Sequence, residues 1–469
     1  MRFPLLPISL CLFSQLAFAG DGLLDAKSLN NAAALRDGAL QKNEATRLLE
    51  SLTTEIGPRM AGSPANAQAV AWAQAKFKAL GYDKVYLQPV TYPVWQRGHE
   101  TAEVLSPFPQ KLVITALGGS VGTDGKPLDA EVVEFASVEA LKAAPANSLT
   151  GKIVFINRRM DRMKDGSGYG PAVAGRRDGA AEASRKGAVA VVIRSVGTDS
   201  NRTPHTGMMR YDESVKKIPA AALSAPDADA LERMLKLGKT ITLRLDIAAG
   251  FTGTYTSYNV IGEITGREKP DEVVIIGGHL DSWDLGTGAV DDGAGVSITM
   301  AAGELIGRMK QAPRRTIRVV AFANEEQGLY GGKAYAETNK ASVAKHQIGA
   351  ESDFGAGRIY SLSSNVDDAG WKVVEQIGSV LAPLGITLDR NKGGSGPDIG
   401  PSADNGMPWA ELQQDGTDYF DLHHTANDTF DKVDPKALDQ QVAAYAAFAY
   451  LAAEAKDNFV AVKKVEEKK

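Results

Sequence analysis

The sequence has one cysteine, Cys11, among its 469 residues. It lies in an apolar stretch near the start, so the rest of the chain can form no disulfide and offers no thiolate to a metal or a substrate. Histidine is also scarce, with six in all. No apolar run approaches the roughly 20 residues needed to cross a bilayer as a helix, which excludes a membrane span of that kind. Nor is there a basic stripe: the net charge is -5 and acids and bases are intermixed. That pattern gives nucleic acid or an anionic membrane nothing to bind. Charged residues make up 23% and hydrophobic ones 43%, ordinary globular values that exclude disorder for the bulk of the chain.

Residues 1–19 read as a signal peptide. Arg2 supplies the positive start, Leu5 to Leu16 the short apolar stretch, and Ala17-Phe18-Ala19 the small-x-small cleavage pattern. This predicts an exported chain, periplasmic or secreted. Residues 20–124 open with helical spacing over Asn43–Leu52 and Ala65–Leu80, the second started by Ser63-Pro64. Gly57-Pro58-Arg59 marks a tight loop, and Val85–Val94 alternates like a strand. Residues 125–248 change in texture. Short β-like runs (Ala130–Phe135, Lys152–Asn157, Ala188–Ile193, Thr240–Asp246) surround a glycine-rich loop from Gly166 to Gly179 and a helix ending at Gly187. This reads as a small β-rich insert in a larger domain.

From 249 to 469 strand and helix alternate. Val260–Ile264, Val273–Gly278 and Ile317–Ala323 are continuous apolar strands of the kind buried on both faces. Ala294–Met309, Val366–Leu381 and Lys436–Ala455 read as helices, with a charged tail at Lys463–Lys469. The alternation predicts an α/β fold with a mostly parallel, mixed central sheet flanked by helices.

The residues that carry chemistry sit where these strands end, which is where open α/β sheets gather ligands. His279 follows the strand Val273–Gly278, and Asp281 stands two residues on, placed to orient its ring. Asp291 and Asp292 lie in GAVDDGAG at a helix start, where an Asp is also an ordinary cap. Glu325 and Glu326 follow an apolar strand; side by side there they need a proton or a positive charge. Asp353 ends the run Gln347–Ser352, and His423-His424-Thr425 comes last. Imidazole and carboxylate donors without thiolates suit zinc or a similar divalent ion. Spacing alone does not tell which of Glu325 and Glu326 would be ligand and which base.

In this order His279-x-Asp281, GAVDDGAG, FANEEQGLYGG, Asp353 and HHTANDT resemble the M28 family of zinc metallopeptidases. Ser257 to Ile261 adds to the match. GYGPAVAGRRDGAAEASRKGAVA, PHTGMMRYD and GGSGPDIGPSADNGMP are similar to its plasma glutamate carboxypeptidase (carboxypeptidase Q) branch. The resemblance implies a zinc exopeptidase fold with an inserted protease-associated-like domain roofing the active site. It implies two Zn2+ per chain, one held by His279, Asp291 and Asp353, the other by Asp291, Glu326 and His424. It gives Glu325 the part of general base, makes Asp281 the partner of His279, and implies a cis Asp291–Asp292 bond. His424 is preferred to His423 because it precedes Thr425. His205 and Tyr169 of the insert, and Asp398 and Ser402 of a Gly/Pro-rich loop, are further candidates for the cleft.

The implied activity is hydrolysis of unblocked dipeptides or short peptides by a homodimer. Three alternatives stand beside it: an aminopeptidase on longer peptides, a single-zinc acyltransferase of the glutaminyl cyclase type, and a binding module that has lost catalysis. The last two predict missing ligands, and the sequence holds the complete set.

Overall fold

The computed structural model describes residues 23–462; the signal peptide and the charged tail expected from the sequence lie outside them. Eleven strands form one sheet: β1 (Lys84–Ser106), β2 (Gln110–Leu112), β3 (Ile114–Ala116), β4 (Leu128–Phe135), β5 (Ile153–Ile156), β6 (Ala190–Arg194), β7 (Ala220–Leu223), β8 (Thr242–Ile264), β9 (Lys269–His279), β10 (Arg315–Phe322) and β11 (His346–Glu351). The order β11-β9-β10-β8-β4-β5-β6-β7-β3 divides at β8. Beyond its C-terminal half lie β10, antiparallel to it, and then β9 and β11, all three mutually parallel. Beyond its N-terminal half lie β4 to β7, parallel to one another, with β3 antiparallel at the edge. The sheet is mixed and helix-flanked, as the sequence predicts.

The two halves are joined by a ribbon of β1 and β8, each 23 residues long and antiparallel from Lys84↔Glu263 to Ser106↔Thr242. The sequence suggests two separate short strands, Thr240–Asp246 and Val260–Ile264, where β8 is continuous. Its middle, Ala249 to Thr256, is half-exposed or exposed, so no apolar alternation marks it.

A second difference concerns Gly166 to Gly179. The helix runs from Tyr169 to Arg185 and takes in most of that supposed loop. Gly175 and Gly179, one helical turn apart, face Ile156, and a Cβ on Gly179 would come within 2.7 Å of its Cδ1. The glycines let the helix lie close on β5, and that packing outweighs their poor helix propensity.

The other helices form largely as expected. Pro64–Ala79 is capped by Ser63, whose side chain accepts from the Asn66 N–H. Pro435–Glu454 is alanine-rich and almost wholly buried. It packs against the sheet and against helices Ala26–Gln41 and Ala294–Gly307, within the largest apolar cluster. A small sheet of β12 (Ile359–Ser364), β13 (Thr387–Leu388) and β14 (Ala410–Gln414) lies beside β11. Among the described residues no helix is long and apolar enough to cross a membrane.

Candidate active site and metal centre

The carboxyl ends of β9, β10 and β11 point the same way, and each delivers a site residue. His279 is the last residue of β9, Glu325 and Glu326 follow β10, and Asp353 follows β11. Between β10 and the glutamates the chain turns sharply through Asn324, at φ 51°. Asp291 arrives on the loop before helix Ala294–Gly307, and the Asp291–Asp292 bond is cis. His424 arrives on the loop after β14, in the left-handed region at φ 62°.

These side chains converge. His279 Nε2 lies 3.0 Å from Asp291 Oδ1 and 3.5 Å from Asp353 Oδ1. On the other side of Asp291, His424 Nε2 lies 3.2 Å from Oδ2 and 2.9 Å from Glu326 Oε2. Asp291 thus stands between the two imidazoles, each turning its Nε2 inward. The structure brings all five residues together.

The geometry also separates the ambiguous neighbours. Asp292 has both oxygens engaged by backbone: Oδ2 accepts the His279 N–H and Oδ1 the Gly295 N–H, each at 3.0 Å. Glu326 Oε1 is buried without a hydrogen-bond partner, and Asp291 Oδ2, also buried, meets the His424 and His423 imidazoles at 3.2 and 3.7 Å without a well-formed hydrogen bond. Buried polar atoms are rarely left so, and these aim at the cluster where His279, Asp291 and Glu326 each offer a donor atom within 4.8 Å of one another. Such a donor set fits zinc. Glu325 lines the adjoining cavity, and its carboxylate makes no hydrogen bond to the described residues. Of the histidines, His424 has Nδ1 fixed by the Thr206 carbonyl at 3.2 Å. His423 stacks on it with ring centroids 3.5 Å apart, and its own Nδ1 is unpartnered.

Asp281 is placed differently from expectation. It is its backbone carbonyl, 3.0 Å away, that faces His279 Nδ1, while the carboxylate stands 3.6 Å off. That carboxylate accepts the Glu325 N–H at 3.1 Å instead.

The electrostatics follow from burial and from crowded acids. Burial alone would lower the His279 imidazole, but Asp353, Asp281 and Asp291 hold it well above its ordinary value. Burial pushes the Glu325 carboxyl well up, reinforced by Asp353, Glu326 and Asp398. Asp291, despite its burial, is held low by His279 and His424. So concentrated a negative charge calls for positive charge in its midst.

Several residues that build the site were not singled out for it in the sequence. Arg59, in the expected tight loop, is fully buried and donates to three carbonyls of the Asp291 loop and its neighbour strand: Leu280 at 2.5 Å, Thr287 at 2.7 Å and Gly288 at 2.9 Å. Asp428 Oδ1 accepts the Ala289 and Val290 N–H groups, each at 2.7 Å. Trp283 Nε1 donates to Glu326 Oε2 at 2.6 Å. Nothing about a lone Arg or Trp in the sequence marks these parts; only the fold brings them to the loop.

A cavity of about 310 Å³ opens over the site, within the range of small-ligand clefts. It is walled by Tyr169 and Arg176 of the insert together with Phe354, Tyr419, Phe420 and His423. His205 does not reach it: its ring is buried and bonds Asp199 Oδ1 at 2.8 Å. Asp398 is buried beside Glu351, whose carboxylate takes its N–H, and its Oδ1 accepts from Gly332 N. Ser402 lies buried in the short helix Gly400–Asp404.

Comparison with known proteins accords with the fold. Residues 259–449 match peptidase family M28, and residues 125–231 match the PA domain. Carboxypeptidase Q of Bos taurus is 36% identical over 413 residues, covering 88% of this chain and 86% of that protein. The Homo sapiens carboxypeptidase Q is also 36% identical, over 94% of this chain and 90% of its own length. A crystal structure of a peptidase M28 precursor from Shewanella amazonensis SB2B superposes with a TM-score of 0.91 at 50% identity, covering 93% of this chain and 99% of that one. A zinc aminopeptidase from Bacillus subtilis shares the fold, with a TM-score of 0.64 at 20% identity over 86% of this chain and 93% of its own. The chain therefore belongs to the M28 family of metallopeptidases, and within it is a homologue of carboxypeptidase Q.

Proposed function

We propose that this chain is a two-zinc exopeptidase that hydrolyses unblocked dipeptides or short peptides. The observation that carries the reading is the pair of inward-facing imidazoles, His279 and His424, on either side of the buried Asp291 carboxylate. In this reading His279, Asp291 and Asp353 hold one ion, and Asp291, Glu326 and His424 hold the other. When bound, the ions supply Lewis-acid polarisation of the scissile carbonyl and a water acidified toward a pKa of about 7.

The chain's own residues do the rest. Glu325, facing the cavity, takes a proton on its carboxylate and returns it to the leaving amine. The burial and neighbouring acids that raise its proton affinity suit that exchange. The Asp281 carboxylate, accepting the Glu325 N–H, fixes where that residue begins. Tyr419 and Phe420 give the cavity an apolar wall.

The small volume of the cavity, about 310 Å³, supports short substrates over long ones. Arg176, buried in its wall, makes no ion pair among the described residues, and its Nε–H has no partner. Its other nitrogens are engaged, Nη1 by the Thr206 carbonyl at 3.2 Å and Nη2 by Tyr169 Oη, so in this reading it is the uncompensated charge of the guanidinium that attracts the terminal carboxylate of an unblocked peptide. The chain is further proposed to be exported, on the signal-like residues 1–19, and to work as a homodimer, on the resemblance to the carboxypeptidase Q branch.

Glu325→Gln tests the assignment of the base. The variant is expected to keep its zinc content while kcat on a free dipeptide falls about 10²–10⁴-fold, the worth of a positioned proton acceptor. Wild-type turnover in that variant would remove Glu325 from the reaction.

A further inference from the structure

The loop that carries His424 is fastened to the inserted lobe as well as to its own domain. The Thr206 N–H donates to the His424 carbonyl at 3.0 Å, and the Thr206 carbonyl faces His424 Nδ1 at 3.2 Å. Both ends of one peptide-bearing residue of the insert thus hold one histidine. Upstream, the Thr198 N–H donates to the Phe420 carbonyl at 3.1 Å, and Thr198 Oγ1 donates to Asp421 Oδ1 at 2.7 Å. Tyr169 stacks on Phe420 with ring centroids 5.0 Å apart. Arg162 adds ion pairs to Asp418 and Asp421, but these are exposed and contribute little.

Two further features show how closely the lobe is fitted. His424 sits at φ 62°, a backbone conformation that a residue with a side chain keeps only when its surroundings impose it. Gly207, next to Thr206, has φ 129°, and a Cβ there would come within 2.7 Å of His424 Nδ1 and also strike the Arg176 guanidinium. The glycine allows the Thr206–Gly207 backbone to lie against the ring. The loop itself is locked within the insert, where the His205 N–H donates to Ser195 Oγ at 2.9 Å and the His205 ring bonds Asp199.

We infer that the inserted lobe is a working part of the metal centre: through Thr206 and Thr198 it positions the His424 ring, and so sets the affinity of the zinc held by Asp291, Glu326 and His424. The other zinc shares Asp291 but takes its own two ligands, His279 and Asp353, from the ends of β9 and β11, which Thr206 and Thr198 do not touch. Outer partners that fix the second nitrogen of a metal-bound imidazole typically govern affinity by 10–100-fold. Thr206, Gly207 and Thr198 are positioning residues in this scheme, since none of them faces the cavity. The inference rests on the two-zinc reading above.

The test is zinc uptake by the metal-stripped full chain in competition with a chelating dye, which needs no turnover. Gly207→Ala is expected to weaken one of the two zinc equivalents by about 10–100-fold and leave the other unchanged. Thr198→Val should weaken the same equivalent by about fivefold, the worth of one hydrogen bond, and Thr198→Ser should restore it. Two equivalents of wild-type affinity in Gly207→Ala would overturn the inference. So would equal weakening of both together with a lower melting temperature of the metal-free protein, which would mark a general structural defect. A wild-type chain that takes up no zinc would instead contradict the metal reading on which the inference stands.

Discussion

The Trp283 indole N–H points at Glu326 Oε2 from 2.6 Å, leaving Oε1 of the same carboxylate buried and without a partner. The same Oε2 lies 2.9 Å from His424 Nε2, so the indole fixes the oxygen that faces the site. Trp283 is held in its turn by an edge-on contact with Trp95, ring centroids 6.1 Å apart. Trp283→Phe keeps most of the packing and removes the donor. Zinc affinity on the Glu326 side is expected to fall about tenfold in dye competition, as for other partners that orient a ligand. Unchanged affinity would show that the indole bond does not orient the carboxylate.

Arg59 holds the Asp291 loop from below. Its removal leaves the carbonyls of Leu280, Thr287 and Gly288 without the donors they have here, each at a cost of about 1–3 kcal/mol when buried. Arg59→Met is therefore expected to lose at least about 3 kcal/mol in urea unfolding of the metal-free chain. Arg59→Lys, with one compact ammonium for a planar fork, should recover only part of it. A loss below about 1 kcal/mol would mean that water replaces the side chain.

His346 gives a pH-dependent stability separate from the site. It opens β11, at the opposite end of the strand from Asp353, with Nε2 against Tyr335 Oη at 2.9 Å. Burial pushes its pKa down to about 4, and Arg318 adds to the effect against the Ser342 carbonyl. As pH falls below about 6.5 the unfolded chain takes up a proton that the folded chain refuses until about pH 4. Stability is therefore full above pH 6.5 and is lost on the way down to 4. The span corresponds to roughly 3 kcal/mol. In urea unfolding of metal-free protein, His346→Gln should flatten the decline between pH 7 and pH 4.5 relative to the wild type. An identical decline in both would show that His346 does not carry it.

Much of this was legible in the sequence because buried parallel strands are continuous apolar runs. Val273–Gly278 and Ile317–Ala323 announce themselves, and the polar residues just after them stand out. The middle of β8 was not legible: a two-stranded ribbon with solvent on its faces has no hydrophobic period to read. The helix at Tyr169–Arg185 was hidden by Gly175 and Gly179, whose value lies in contact with Ile156 and appears only in three dimensions. The same holds for the site. The acids and histidines advertise a metal by type and place, whereas Arg59, Trp283 and Thr206 act through single bonds to distant segments. The carbonyl that Asp281 turns to His279 Nδ1 could not be foreseen either, since every residue has one.

The central claim is a peptidase that works with two zinc ions, and the most direct test is the hydrolysis rate of an unblocked dipeptide by metal-stripped protein as zinc is returned. The account predicts activity that rises and levels off near two ions per chain. A plateau near one ion, or no activity at any zinc level in folded protein, would contradict it.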